Sequence, residues 1–507
     1  MRWTVTILVL CVSAYVLNAQ EVPHLSKQQM YEDFDQLVTI VEQYNPQIEI
    51  RKELCNYDIV SLINNRRNII DTIDNLGEFA CFLESTIHII QDVHTKMIRP
   101  KNNKEYMSYL TEENIDTTLL KLCDEYFIHY DNKSVRPMLG FGNYLLYYKG
   151  RYYVMGSIVF SDLENNKCQI TNSELIKIGN LTVQQFIDSF PEIQHTPLRW
   201  DYKLNNFYST SLMVPYTKLT FKDLNTGLDT IIDMENYPIY NFKMQDSPKS
   251  YNDFTPQIFY FHEGHILYIY FPNMNIDTKI SLLKQLNSFR NRRIDNVVFD
   301  VRNNRGGSDL VWTDLLQILI GDTIGLPCHI GVRKSFYPQW VGDTTMKEAN
   351  ETHYLSIDST DWSFFIPSTT NFGFTGHFYV LQDHNSLSAA HSLSSICRFS
   401  KQFTSVGLPT GFIAGRGSGP FTFQLHNSGF TFTMECDIDV THCLHLQDYF
   451  QDIPEHEVAL SLDEAKDYYF TNYDALKDKK YLCKRDPFIK AVYKLVHGKN
   501  VLDLPSL

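Results

Sequence analysis

The chain has no Cys-x-x-Cys pair and no dense cysteine framework; its ten cysteines are scattered over 507 residues. That argues against a zinc ribbon, a thioredoxin-type redox pair or a small disulfide-stapled scaffold. No Gly-x4-Gly-Lys loop is present to cradle a phosphate, and no Gly-x-Ser-x-Gly elbow marks an α/β-hydrolase. His262-Glu-Gly-His265 has the wrong spacing for a zinc-protease helix. His442, Cys443 and His445 lack a fourth ligand at metal spacing, so neither metal nor cofactor is expected. Beyond residue 19 no run of eighteen apolar residues occurs, and no stable membrane span is expected. Positive charge is the minority: 45 Lys and Arg stand against 59 Asp and Glu, a formal net charge of −14. This balance makes nucleic acid a poor partner. Long internal repeats and low-complexity segments are also missing.

What is present is an ordinary globular composition, with 43% hydrophobic and 21% charged residues. The length allows two or three domains. The 31 Tyr and 33 Phe suit strands and grooves that grip extended chains. Residues 1–19 read as a signal peptide. Arg2 is its positive end, Val5–Leu17 its apolar stretch, and Leu17-Asn18-Ala19 the cleavage site before Gln20. The expected location is therefore outside the cytoplasm, periplasmic or extracellular. Removing Cys11 with the signal leaves an odd number of cysteines, so an oxidising compartment implies a free thiol or an intermolecular bond.

Residues 20–100 read as a helical domain. Ser26 and Gln29 form a capping-box pattern, and Phe34, Leu37, Val38, Val41 and Tyr44 recur at helical spacing. Further helices are expected over 59–73 and 76–91, ending at Asp92-Val-His94-Thr95. A short helix is expected near Leu119. From Leu139 the period becomes two, and a small β-rich domain is expected over 137–240. An α/β pattern follows over 250–465. It has a hairpin at Glu263-Gly264, a helix over 279–292, a buried strand Val297–Phe299 running into Gly306-Gly307, and a helix over 310–320. A second buried strand, 377–381, leads to a helix over 387–399 and a strand over 403–406. Residues 340–375 read as a polar lid or insertion, 407–420 as a glycine-rich loop, and 466–507 as a helical tail.

Three places carry chemistry. A strand that breaks into Gly306-Gly307 before a helix presents bare backbone N–H groups, able to bind developing negative charge. Ser388 stands at a strand-to-helix junction among small residues, Asn385-Ser-Leu-Ser-Ala-Ala-His391. It is placed either as a nucleophile or as a helix N-cap, a job Ser386 could also fill. His94 follows a helix with Asp92 two residues earlier, and an imidazole is the base a serine requires.

In this order and spacing the motifs resemble the S41 family of serine peptidases, the tail-specific or C-terminal processing proteases and the tricorn core. The resemblance spans about 30–465 and is strongest at 296–309, 378–399 and 406–411, and near His94. It implies an α/β fold with a crotonase/ClpP-like ββα core, a helical N-terminal domain and a small PDZ-like β domain around Ser173–Ile187. It assigns Ser388 as nucleophile and Gly306, Gly307 and Ala389 as the oxyanion hole. Where the tail-specific branch has Thr-Phe-Gly-Lys-Gly, this chain reads Thr410-Gly-Phe-Ile413, without the dyad lysine. That favours the histidine-using, tricorn-like branch, with His94 as base in a variant of its Asp-Gly-His-Thr motif. The acid is expected at Glu455, in Pro454-Glu-His-Glu-Val458, or at Glu435. His391 stands where many relatives carry Glu. The implied activity is hydrolysis of peptide or unfolded protein substrates. The competing reading is an inactive scaffold that binds peptides or apolar ligands.

Overall fold

The protein is seen in a computed structural model that describes residues 25–98, 115–116, 138–194, 196–243, 255–336, 350–352, 355–411, 420–441, 443, 451–470 and 475–498. The signal segment, the helix expected near Leu119, His442, His445 and parts of the 340–375 and 407–420 loops lie outside these residues.

The N-terminal helices are α1 (Lys27–Tyr44), α2 (Ile48–Cys55), α3 (Ile59–Asn64) and α4 (Leu76–His88). α1 begins where the capping box predicts. Ser26 Oγ accepts from the Gln29 amide, and Gln29 Oε1 accepts from the Ser26 amide. Its buried stripe of Met30, Phe34, Leu37 and Val41 is the face read from the periodicity. The helix expected over 59–73 breaks after Asn64 into a tighter turn, Arg67–Thr72. Strand β1 (Lys96–Met97) follows α4.

The middle unit is strand-rich, with β2 (Leu145–Tyr148), β3 (Arg151–Val154), β4 (Ser157–Ser161), β5 (Lys167–Thr171) and β6 (Ser173–Ile178). Helix α5 (Val183–Ser189) is capped by Thr182. Then come β7 (Arg199–Asp201), β8 (Asn206–Tyr208), β9 (Lys218–Asp223), β10 (Asp229–Asp233) and β11 (Ile239–Lys243). One antiparallel sheet runs β10-β9-β6-β3-β2, and a smaller one runs β11-β4-β5.

The third unit holds β12 (Gln257–Phe261), β13 (Ile266–Tyr270), α6 (Ile276–Leu286), β14 (Asn296–Asp300) and α7 (Leu310–Leu319). A hairpin of β15 (Ile324–Arg333) and β16 (Leu355–Phe365) precedes β17 (His377–Gln382), α8 (Ala389–Ser395) and β18 (Phe403–Gly407). Strands β19 (Phe421–Gln424), β20 (Thr431–Met434), β21 (Asp437–Asp439) and β22 (His456–Glu457) lead to α9 (Leu462–Phe470), α10 (Lys479–Lys484) and α11 (Pro487–His497). Much of the stretch read as a polar lid is therefore strand: β16 pairs antiparallel with β15.

The central sheet runs β12-β13-β14-β17-β18-β22 and is parallel except for the β12 hairpin. Its strands are continuous apolar runs because both faces are covered. Val297, Phe299, Phe378 and Val380 pack with Leu282, Leu315, Leu316 and Leu393 of α6, α7 and α8. Val298, Tyr379 and Leu381 point the other way, onto Tyr468, Phe488 and Val492. Each such side chain contributes roughly 1.5–3 kcal/mol on burial. The C-terminal helices are thus a layer of the core rather than a tail. Among the described residues no helix is long and apolar enough to cross a membrane.

Candidate active site

Ser388 is set by the turn between β17 and α8. Asp383 opens it: its carboxylate accepts from the Asn385 amide (2.9 Å), and its own amide donates to Ser386 Oγ (3.0 Å). Ser386 Oγ also donates to the Val301 carbonyl (2.9 Å), so this hydroxyl braces the turn and caps no helix. Ser388 then takes φ 51° and ψ −127°, and its side chain makes no capping bond. A non-glycine residue in this region costs about 1–3 kcal/mol. Strain without a capping bond sets the N-cap reading aside.

The glycine turn faces this serine. Gly306 has φ 93°, and a Cβ there would lie 2.5 Å from Ser388 Cβ and 2.7 Å from the Leu387 carbonyl oxygen. Its N–H is already committed, donating to Asn304 Oδ1 at 2.8 Å. Gly306 therefore makes room, and the expectation that it donates to an oxyanion is corrected. Gly307 is held against Met274: the Met274 amide donates to the Gly306 carbonyl (2.9 Å), and the Ser308 amide to the Met274 carbonyl (2.7 Å). Among the described residues the N–H groups of Gly307 and Ala389 have no acceptor. The Leu387 amide donates to the Asn304 carbonyl (3.0 Å), locking the two turns together.

His94 is placed by a ladder and a clamp. β1 pairs antiparallel with β20, Lys96 opposite Thr433, and the same register extended two residues sets His94 opposite Glu435. Thr433 Oγ1 donates to the His94 carbonyl at 2.6 Å. Before the histidine, Arg51 is fully buried and donates to the carbonyls of Ile90 (2.7 Å) and Gln91 (2.8 Å). Tyr57 donates to Ile89 O (2.7 Å). These groups satisfy the carbonyls left over at the end of α4. Asp92 accepts from the His94 amide (3.1 Å) and from Thr95 Oγ1 (2.9 Å), fixing the turn rather than the ring.

The His94 ring meets Glu435, with Nδ1 in ion-pair contact with Oε1. Glu435 is 2% exposed and the histidine side chain 30%. Burial opposes charge on His94, but bonding to Glu435 and the nearby Asp92 outweigh it, so its pKa is raised above the usual imidazole value. Burial likewise pushes the Glu435 carboxyl up, with His94 pulling it back.

The other candidate acid is elsewhere. Glu455 is exposed, its amide donates to Ser405 Oγ (3.0 Å), and its carboxylate lies by Thr404, His456 and Arg398. Of the two acids, Glu435 is the one brought to His94. His391 is fully buried, with Nε2 2.8 Å from Asp452 Oδ2 and 3.2 Å from Thr410 Oγ1. It ties α8 to the segment after residue 450 and lies away from the surface of the site.

A dipeptide of the middle unit joins the two halves. Gln91 Oε1 accepts from the Leu198 amide at 2.6 Å. The next residue, Arg199, is buried against Gly411, where a Cβ would fall 1.7 Å from Arg199 Nη1 and 2.6 Å from Leu387 Cδ2. Leu198-Arg199 thus spans from the turn that bears His94 to the turn that bears Ser388. Arg51 and this dipeptide were not singled out from sequence, and Asn304 was read only as part of a motif, with no role of its own. Asn304 stands inside the strand–Gly-Gly motif and had a signal there; Arg51 bonds across 39 residues and had none.

Residues 265–441 match the family model of peptidase family S41. No curated protein matches the sequence. The crystal structure of mature CPAF is similar over 94% of this chain and 99% of that one, at 12% identity and a TM-score of 0.51. Mature CPAF complexed with lactacystin is similar over 93% and 99%, again at 12% identity and 0.51. At such identity the likeness is one of fold, in which helices and sheets are mixed. The glycine turn and the serine turn both lie within residues 265–441, the part of the chain that matches peptidase family S41, a family of serine-type peptidases.

Proposed function

We propose that the protein is an exported endopeptidase of the C-terminal processing type, acting through Ser388, His94 and Glu435. The observation that carries this is the His94–Glu435 pair, delivered by strand register, together with a strained Ser388 that meets Gly306. Because His94 Nδ1 is turned to Glu435, Nε2 is the nitrogen left for the serine. Nε2 takes the Ser388 Oγ proton as the oxygen attacks the peptide carbonyl and the C–O bond forms. The amides of Gly307 and Ala389 hold the oxyanion. The imidazolium, stabilised by Glu435, then protonates the leaving amine as the C–N bond breaks, and water reverses the sequence to free Ser388.

Export is supported by the Arg2 and Val5–Leu17 pattern. A PDZ-like role for the middle unit is supported by an antiparallel sheet that carries the short helix α5 beside β6 and β8. Such a unit captures an extended peptide by strand addition, which fits a peptide tail or an unfolded protein as substrate. The histidine-using branch is supported by the His94–Glu435 pair. The test is labelling of the full mature chain with a fluorophosphonate. Labelling of wild type, lost in Ser388→Ala and in His94→Ala, supports the mechanism. Absence of labelling, with no turnover of unfolded protein, favours the binding scaffold instead.

A further inference from the structure

A charged cluster lies entirely inside the protein, beneath the serine site. Arg302 is 0% exposed. It donates through Nε to Asp300 Oδ1 (2.9 Å), through Nη2 to Asp300 Oδ2 (2.6 Å) and through Nη1 to Asp486 Oδ2 (2.8 Å). Tyr268 donates to Asp300 Oδ2 at 2.6 Å. A second contact runs parallel to it: Tyr468, also buried, donates to Asp383 Oδ2 at 2.6 Å. Arg302 belongs to the turn that leads to Gly306-Gly307, and Asp383 opens the turn that leads to Ser388. Asp486 and Tyr468 both come from the C-terminal helices, beyond the stretch 265–441 that matches the family.

The two gripped turns are bonded to each other at every step toward the site. The Asn303 amide donates to Asp383 Oδ1 (3.1 Å), and Asn385 Nδ2 donates to Asn303 Oδ1 (2.9 Å). One residue further, Asn304 accepts from the Leu387 amide and, through Oδ1, from Gly306. A movement of Arg302 or Asp383 is therefore passed on to both oxyanion amides. Buried ionic clusters are a poor route to stability, since apolar packing of similar volume does as well. They do fix one arrangement of the groups they touch. Asp486 has a separate structural job, accepting the amides of Phe488 and Ile489 (each 2.9 Å) as N-cap of α11.

We propose that the C-terminal helical segment is a working part of the serine site, with Tyr468 and Asp486 as positioning residues that hold the serine turn and the oxyanion turn in register. The proposal rests on the catalytic reading above. Neither residue touches substrate; each acts through the turn it grips.

The test uses the full mature chain and two variants that remove little else. Tyr468→Phe deletes one hydroxyl. Asp486→Asn keeps an N-cap oxygen for α11 but removes the charge facing Arg302. Both are assayed well below their own melting temperatures. The rate of fluorophosphonate labelling should fall about ten- to a hundredfold, as a small misplacement of reacting groups does. With a fluorogenic unfolded protein as substrate, kcat should fall by the same factor while KM stays within about twofold, because peptide capture is untouched. Labelling at the wild-type rate in both folded variants, or a change confined to KM, overturns the clamp alone. A wild-type chain that does not label overturns the catalytic reading and the clamp with it.

Discussion

Replacing Gly306 by alanine is the most direct challenge to the way the serine turn and the glycine turn fit together. The new Cβ would lie 2.5 Å from Ser388 Cβ, 2.7 Å from the Leu387 carbonyl oxygen and 3.1 Å from the Ala389 amide nitrogen. Two of these are backbone atoms, and none is the far end of a flexible side chain. The site can only respond by moving one turn away from the other. Alanine at φ 93° adds backbone strain of about 1–3 kcal/mol, and the crowding adds about 1–3 kcal/mol more. The expected loss of stability is therefore about 2–6 kcal/mol, read as a lower midpoint in urea. The chemical cost is separate. Moving the Ala389 amide off the oxyanion position should cost about 2.7–4 kcal/mol in the transition state, or about 10²–10³ in labelling rate. Gly227→Ala is the control, with φ 72° and no atom within 4 Å of its would-be Cβ. It should show backbone strain and keep the wild-type labelling rate. A folded Gly306→Ala protein that labels within about threefold of wild type would refute the reasoning.

Glu435→Gln should lower kcat/KM by about 10²–10⁴, by analogy with loss of the acid that orients a catalytic histidine. It also moves the pH profile. In the proposed mechanism His94 is the neutral base, so wild-type activity should fall as pH drops through a pKa held above the usual imidazole range; without the carboxylate the midpoint should move to lower pH. Glu455→Ala should leave kcat/KM within about threefold of wild type, since the residue is exposed and touches neither half of the site. Arg51→Met strands the carbonyls of Ile90 and Gln91; at about 1–3 kcal/mol for each, chemical denaturation should show a loss of about 2–6 kcal/mol, and fluorophosphonate labelling should slow in the protein that remains folded.

Parts of this architecture are written locally, and those parts were legible. The capping box at Ser26 involves groups three residues apart. The strand runs at Val297–Phe299 and Phe378–Leu381 announce burial on both faces without any knowledge of the partner. Gly306 and Gly307 could be singled out because they break an apolar strand before a helix, whereas Ser388 was separated from a helix cap only by the resemblance to the S41 family. The acid could not be chosen, because Glu435 and Glu455 differ only in which strand lies opposite, and that register joins residues 339 apart. The division of labour between the two glycines was hidden for a similar reason: the Asn304 side chain consumes one amide and leaves the other. β16 was missed because its apolar alternation changes phase partway, from Leu355 and Ile357 to Trp362 and Phe364, across the polar stretch 358–361 where its pairing with β15 shifts register. The C-terminal helices advertised an apolar face but not that it covers the sheet on the side away from α6, α7 and α8.

The β1–β20 ladder also has a consequence for the order of events during synthesis. His94 is made early, but the strand that fixes its carbonyl and brings its carboxylate leaves the ribosome hundreds of residues later. Pairings of such long sequence separation form slowly and late. A nascent chain therefore carries an imidazole with no partner and a serine not yet made. On the mechanism proposed above, Ser388, His94 and Glu435 can meet only after residue 435 has been made, so a shorter nascent chain lacks the complete set.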